Sequence, residues 1–286
     1  MVKLHEGDIQ TREVLDWKGL HLLHFAGSSC SQKTRIFLNL KGIDWISHPV
    51  NLARQANISP WFLGINPRGL VPVLVHDGDV HIESNDILEY LDARFPTPTL
   101  IPEIHRDELL AGLEEEDRLH IDLRNLTMRF VIPPFIARKK PAALELMRAD
   151  AGTIEGKADP HKKQELEYWE NFSRQGVTDQ QALESIQRFR QVYEKWDQRL
   201  AQQDFLLGEE LSLLDIAWFI YTLRLTGAGY PFARLHPHVE SWYRGLLQRD
   251  EFAREAKAPL PLWMVNRGLH AVQAIRRTTL ARLGDL

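Results

Sequence analysis

The sequence predicts a small α/β domain followed by a larger all-helical one, and three observations carry the prediction. β-rich runs alternate with helical patterns up to about residue 95, the proline-rich stretch PTPTLIP follows at 96–102, and beyond Pro102 every periodic segment has the helical spacing. The 286 residues suffice for two domains of ordinary size, and 44% hydrophobic with 26% charged residues is typical of a soluble globular chain.

In the first part, LHLLHFA (20–26) reads as a short buried strand. CSQKTRIFLNLKG then places Ile36, Phe37 and Leu40 at helical spacing and closes at Gly42. DWISHPVNL (44–52) is a second strand. Two further runs, Val71 to His76 and Val80 to Glu83, flank Asp77-Gly78-Asp79, a hairpin turn signal. Ser84 opens SNDILEYLDARF, where Ile87, Leu88 and Leu91 share a helical face. With a short helix before the hairpin, the order β-α-β-α-β-β-α is that of a thioredoxin-like domain over residues 18–97.

The second domain is set at 103–258. It holds one long helix over 105–132, a polar, weakly periodic insert at 138–178 and a second long helix over 179–203. Ser212 and Asp215 form a capping box opening SLLDIAWF, and further helices fit 238–249 and 265–283. Residues 259–286 form a C-terminal extension whose apolar positions alternate with Arg267, Arg276, Arg277 and Arg282. Such a tail lies on a membrane surface or, as the plainer reading has it, packs on its own protein.

Charge and cysteine content restrict the function. With 35 basic and 39 acidic residues the formal charge is -4, so no overall basic field exists to hold nucleic acid. The single cysteine, Cys30, forms no internal disulfide, the polar start lacks a secretory signal's apolar stretch, and no apolar run is long enough to cross a membrane. A cytoplasmic protein is expected. Glu114 to Asp117 with His120 point around a helix, which makes a solvated face rather than a metal site. Trp61, Trp196, Trp218 and Trp242 read as core and interface fillers.

Three places carry chemistry. Ser28 to Ser31 stand at the N-terminal end of a helix, where unpaired N–H groups and the helix dipole stabilise an anion and lower a thiol's pKa. Two mechanisms stay open there: Ser28 donates to a bound thiolate, or Cys30 attacks and forms a mixed disulfide. A third reading makes Cys30 a small buried apolar group. The absence of Cys-x-x-Cys excludes a self-contained dithiol cycle. At Val71-Pro72, a proline inside a strand pattern sits at the strand's start or edge, and a cis bond would present Val71's backbone to an extended peptide. At Glu83-Ser84, a strand-to-helix junction can hold a carboxylate on Ser84 and an ammonium on Glu83, the two halves of an amino-acid head group.

Ser28-Ser29-Cys30-Ser31 with Arg35, NPRGLVPVL, ESNDILEYL and SLLDIAWF, in this order from about residue 20 to 257, resemble the glutathione transferase superfamily. The resemblance implies glutathione as co-substrate on the first domain, a hydrophobic electrophile facing it from the helical domain, a homodimer and a role in detoxification. Ser28 matches the thiolate-stabilising serine, Val71 the residue whose backbone pairs with the cysteinyl part, Pro72 the cis-proline, and Glu83 with Ser84 the γ-glutamyl clamp. Arg68 matches more loosely a residue reaching the glycine carboxylate. SSCS is similar to the zeta class of maleylacetoacetate isomerases, SSCSQKTR to tetrachlorohydroquinone dehalogenases whose attacking cysteine matches Cys30, and NPRG with VPVLVHDG to bacterial glutathione-dependent β-etherases. The long insert and tail depart from these compact types, are similar in length pattern to the ganglioside-induced differentiation-associated proteins, and keep open a non-catalytic glutathione-binding or regulatory protein of the same fold beside the transferase and the Cys30-dependent dehalogenase or ether-cleaving enzyme.

Overall fold

A computed structural model describes residues 2–150, 152–257 and 260–286. It divides into two units, the residues up to Thr97 with Arg138–Gln175, and Pro98–Ala137 with Gly176–Leu286. The boundary expected at 258–259 lies outside the described residues.

The first unit is built on a five-stranded mixed sheet. Its elements are β1 (Val2–Lys3), β2 (Leu20–His24), α1 (Ser29–Leu40), β3 (Ile46–Pro49), α2 (Pro60–Leu63), β4 (Val73–His76), β5 (Asp79–Ile82) and α3 (Ser84–Arg94). The strand order is β1-β5-β4-β2-β3, with β2 and β3 parallel (Leu22 opposite Ser47) and the other pairs antiparallel. β2 is buried along its whole length, as a central strand covered on both faces must be, which explains why its apolar run does not alternate. The hairpin between β4 and β5 turns through Asp77 (φ 52°) and Gly78 (φ 89°), the two left-handed residues of a tight hairpin. A Cβ on Gly78 would lie 2.2 Å from the Leu15 carbonyl oxygen, so glycine alone fits there.

This unit begins before residue 18. β1 adds to the edge of β5, pairing Val2 with Ile82, and Leu4, Ile9 and Val14 are buried in the same cluster as Leu23, Val73 and Val80. It also takes in most of the insert, which folds as a helix Pro141–Ala149, a hairpin of Thr153–Ile154 with Lys157–Ala158, and a helix Pro160–Gln175. Ala143 and Met147 bury against Ile58 and Leu63, with Trp169 packed on the same cluster. A side chain as large as Met147's contributes roughly 1.5–3 kcal/mol when fully removed from water. The hairpin is gripped by the buried Asp8, whose carboxylate accepts from Thr153 Oγ1 (2.6 Å) and the amides of Glu155 and Gly156 (2.9 Å each). The insert therefore belongs to the α/β unit, whereas the sequence reading places it with the helices.

The second unit is helical. Arg106–Arg118 and His120–Phe130 are separate helices where one was expected, broken at Leu119 (φ −89°, ψ 2°), and the Tyr221 hydroxyl donates to the Glu116 carbonyl at the break (2.9 Å). Gly112 lets Leu213–Ala228 approach closely: a Cβ there would stand 2.7 Å from Leu214 Cδ1. Leu213–Ala228 is the central helix, opened by the expected capping box of Ser212 and Asp215. Asp215 also accepts from Leu206 N (2.8 Å) and Trp242 Nε1 (3.0 Å), so one carboxylate joins a loop and two helices. Glu116 is buried rather than solvated, and Trp61 is 42% exposed, its indole N–H on Glu13, so it does not fill the core of this chain. In the tail, Asn266 and Gln273 donate to the carbonyls of Val131 and Arg129, so Leu260–Arg276 packs on this unit. Among the described residues no helix is long and apolar enough to cross a membrane.

Candidate functional site in the first unit

The turn from β2 into α1 is held from beneath by Arg35. This buried guanidinium donates from Nη1 to His24 Nδ1 (2.9 Å) and the Phe25 carbonyl (3.2 Å), and from Nη2 to the Ala26 carbonyl (3.1 Å). Arg35 makes His24 Nδ1 an acceptor, so its Nε2–H donates to Ser47 Oγ (2.8 Å). Burial, and then the Arg35 charge, push the His24 pKa down to about 4, and the ring is neutral. A loop fixed in this way delivers Ser28 as the N-cap of α1.

Ser28 Oγ accepts from the Ser31 amide (3.3 Å), a bond that does not use the hydroxyl proton. No acidic residue stands in the first turn of α1, so its positive end is not offset locally. Cys30 lies in the same turn and is partly exposed, unlike the buried apolar group of the third sequence reading. Beneath them Ser31 is fully buried, its hydroxyl accepting from the Phe25 amide (3.3 Å).

Val71 and Pro72 precede β4 and are joined by a cis peptide bond. Their approach is fixed by two buried amide side chains, Asn57 donating to the Gly69 carbonyl (2.6 Å) and Asn66 to that of Leu70 (2.9 Å). Glu83 occupies the N-cap position of α3 with φ 66° and makes no side-chain cap bond, and Ser84 is the first helical residue. The two helix starts are tied together: Lys33 of α1, 1% exposed, donates to Asn85 of α3 at 2.6 Å.

Arg68 lies beside Glu83. Its Nη1 pairs with Glu83 Oε1, while Nε and Nη2 grip the two oxygens of Asp159 at 2.7 and 2.9 Å. Every nitrogen of the guanidinium thus already donates to a carboxylate of the same unit, which bears on the glycine-carboxylate role that the resemblance loosely assigns it. Burial works against the Arg68 charge, but its bonds to Asp159 and then Glu83 hold its pKa above the ordinary value. For Asp159 burial again opposes ionisation, and the Arg68 bonds overcome it, holding its pKa below the ordinary value.

Sequence reading missed Asp159, His24 and Lys33. Asp159-Pro160 carries a helix-start signal, an acceptor followed by proline at the first helical position, but a start signal does not name the cation that will face it. His24 and Lys33 are ordinary core residues by pattern, and only the fold brings them to Arg35 and Asn85.

Residues 27–94 match the glutathione S-transferase N-terminal domain and residues 175–245 the glutathione S-transferase C-terminal domain. Over 88 residues the chain is 46% identical to a zeta-class glutathione S-transferase of Euphorbia esula, covering 30% of this chain and 39% of that protein. Over 85 residues it is 42% identical to a maleylacetoacetate isomerase of Pseudomonas aeruginosa, covering 29% and 40%. The matched stretch therefore spans about two fifths of these curated relatives. Among solved structures, a β-etherase of Sphingobium sp. strain SYK-6 superposes with TM-score 0.69 at 24% identity, over 82% of this chain and 98% of that one, a likeness of fold. Both domain types thus occur here in order, the first matched on the α/β unit and the second on the helical unit, and over these two stretches the chain is similar to glutathione S-transferases.

Proposed function

We propose that this protein is a glutathione-dependent transferase that conjugates glutathione to a hydrophobic electrophile. The observation that carries the proposal is Ser28: its oxygen caps α1 through a bond that does not use the hydroxyl proton, at a helix start bearing no local acid. A glutathione sulfur placed there meets a hydroxyl donor and the helix dipole, both of which favour thiolate over thiol. The thiol proton passes to solvent, the thiolate attacks carbon, a C–S bond forms, and the leaving group departs with its bonding pair. In this reading Val71 offers its backbone to the cysteinyl part, Pro72 shapes that edge, and Glu83 with Ser84 takes the γ-glutamyl head group. Arg68 serves that end by orienting Glu83.

A second reading is favoured by the partial exposure of Cys30 in the same helical turn. Here a glutathionyl adduct forms first, the Cys30 thiolate attacks its sulfur, the carbon fragment leaves reduced, and a second glutathione releases the mixed disulfide as glutathione disulfide. Conjugation and reductive cleavage rates for the wild type, Ser28→Ala and Cys30→Ala separate the two. Conjugation lost in Ser28→Ala and kept in Cys30→Ala supports the first, and cleavage lost in Cys30→Ala supports the second. Rates indifferent to both substitutions remove both. A homodimer in the cytoplasm accompanies the proposal, supported by the match of both domains to those of glutathione S-transferases, and the dimer is checked by light scattering of the purified chain.

A further inference from the structure

The insert reaches the head-group end of the proposed site. Asp159 immediately precedes its second helix, Pro160–Gln175, and its carboxylate accepts from the amides of His161 (3.4 Å) and Lys162 (3.1 Å) and at the same time grips Arg68 at two points. In this cluster one guanidinium is shared by two carboxylates, Glu83 and Asp159, which leaves one negative charge over. Of the neighbouring cations of the insert, Lys162 pairs with Asp150. His161, 3.7 Å from Glu165, has its pKa raised first by that bond and then, against burial, by the Glu83 charge, so its own carboxylate partner offsets it while it also faces the cluster. Burial is uneven. The side chains of Arg68 and Asp159 are 11% and 5% exposed but that of Glu83 is 32% exposed, so the excess charge meets solvent at Glu83, beside Ser84.

We propose that Asp159 is a specificity-determining positioning residue: by sharing Arg68 with Glu83 it keeps the Glu83 carboxylate electrically available for the ammonium of a γ-glutamyl head group. The inference rests on the glutathione reading above. Without the Asp159 charge, Arg68 would satisfy Glu83 by itself and the cluster would become neutral, removing the attraction for an ammonium while leaving the carboxylate-binding side at Ser84 untouched. Asp159 also fixes the guanidinium plane through a two-point grip that a single contact would not give.

The insert has a second anchor where Asp8 of the N-terminal segment grips its hairpin, which makes a control possible. Calorimetric titrations compare glutathione with its des-amino analogue, in which a glutaryl group replaces the γ-glutamyl group, on the wild type, Asp159→Asn, Asp159→Ser and Asp8→Asn. Asn and Ser both cap helices, so the helix start is preserved and only the charge is lost. The wild type is expected to prefer glutathione by about tenfold or more, and both Asp159 variants to lose that preference while holding the analogue within about twofold. Asp8→Asn is expected to keep the preference. An unchanged preference in either folded Asp159 variant overturns the inference, as does equal loss in Asp8→Asn, which would make the insert scaffolding alone. A wild type that takes up neither ligand removes the glutathione reading itself and the inference with it.

Discussion

Asp159 and Asp215 are both buried carboxylates that cap a helix and bind two neighbouring segments, yet their surroundings give them opposite electrical characters. Asp159 faces a guanidinium, and the Arg68 bonds hold it ionised against the cost of burial. Asp215, fully buried, receives only neutral donors: the Leu206 and Ser212 amides, the Ser212 hydroxyl and the Trp242 indole. There burial outweighs the bonds, and the pKa is pushed up. Hydrogen bonds satisfy a carboxylate's lone pairs, but a cation decides whether burial leaves it charged. The charged one stands beside Glu83 and Ser84, at the proposed site, and the other ties the helical unit together.

The largest effect expected from this contrast is on stability. Asp215→Ala leaves the Leu206 and Ser212 amides and the Trp242 indole buried without their acceptor, and the helical unit should lose about 3–5 kcal/mol. Urea unfolding read by tryptophan fluorescence measures this, and a midpoint within error of the wild type would place the hub's importance elsewhere. Asp159→Asn should lower that midpoint far less, since its cost falls on ligand preference.

Next in size is Ser28→Ala. Removing one donor aimed at a developing or full anion typically costs about a hundredfold in rate, and the acidic limb of the pH–rate profile should move to higher pH as the bound thiol becomes harder to ionise. A lower rate with an unmoved limb would indicate that Ser28 acts only as the cap of α1. Cys30→Ala, should the conjugation reading hold, changes the rate by less than about threefold, because a neighbour in the same turn that bonds to nothing reacting contributes only packing.

Legibility in the sequence follows the same division between local and distant. The β2–α1 unit, the Asp77-Gly78 turn, the start of α3 and the Ser212–Asp215 box were all readable because each is fixed by residues within a few positions of one another. The break at Leu119 was not, since no glycine or proline stands between Leu113 and Leu123 to mark it. The insert looked shapeless because its strands are two residues long and its helices bury few side chains, Ala143 and Met147 on the first and Phe172 on the second among them. Its membership of the α/β unit depends on Asp8 and Arg68, the latter 91 residues from Asp159, and no pattern within a window reports a pairing at that distance.

The smallest effect, a slope rather than a loss, separates the two carboxylates most directly. The unfolded chain gives both residues the ordinary value of 3.8. Asp159 is held below it, so as pH falls under 3.8 the unfolded chain takes up the proton first, and the native advantage over Asp159→Asn shrinks through Asp159's own lowered pKa. Asp215 is held above it, so as pH rises past 3.8 the unfolded chain releases its proton while the native chain keeps one. The native advantage over Asp215→Asn is then greatest in acid and shrinks as pH rises through the raised pKa. Urea midpoints of the wild type and the two variants, taken as differences from about pH 3 to 7, cancel the titration of groups common to all three. The two differences should run in opposite directions with pH. If both fell towards acid, Asp215 would be ionised in the native state like Asp159, and a cation would not be what distinguishes the two sites.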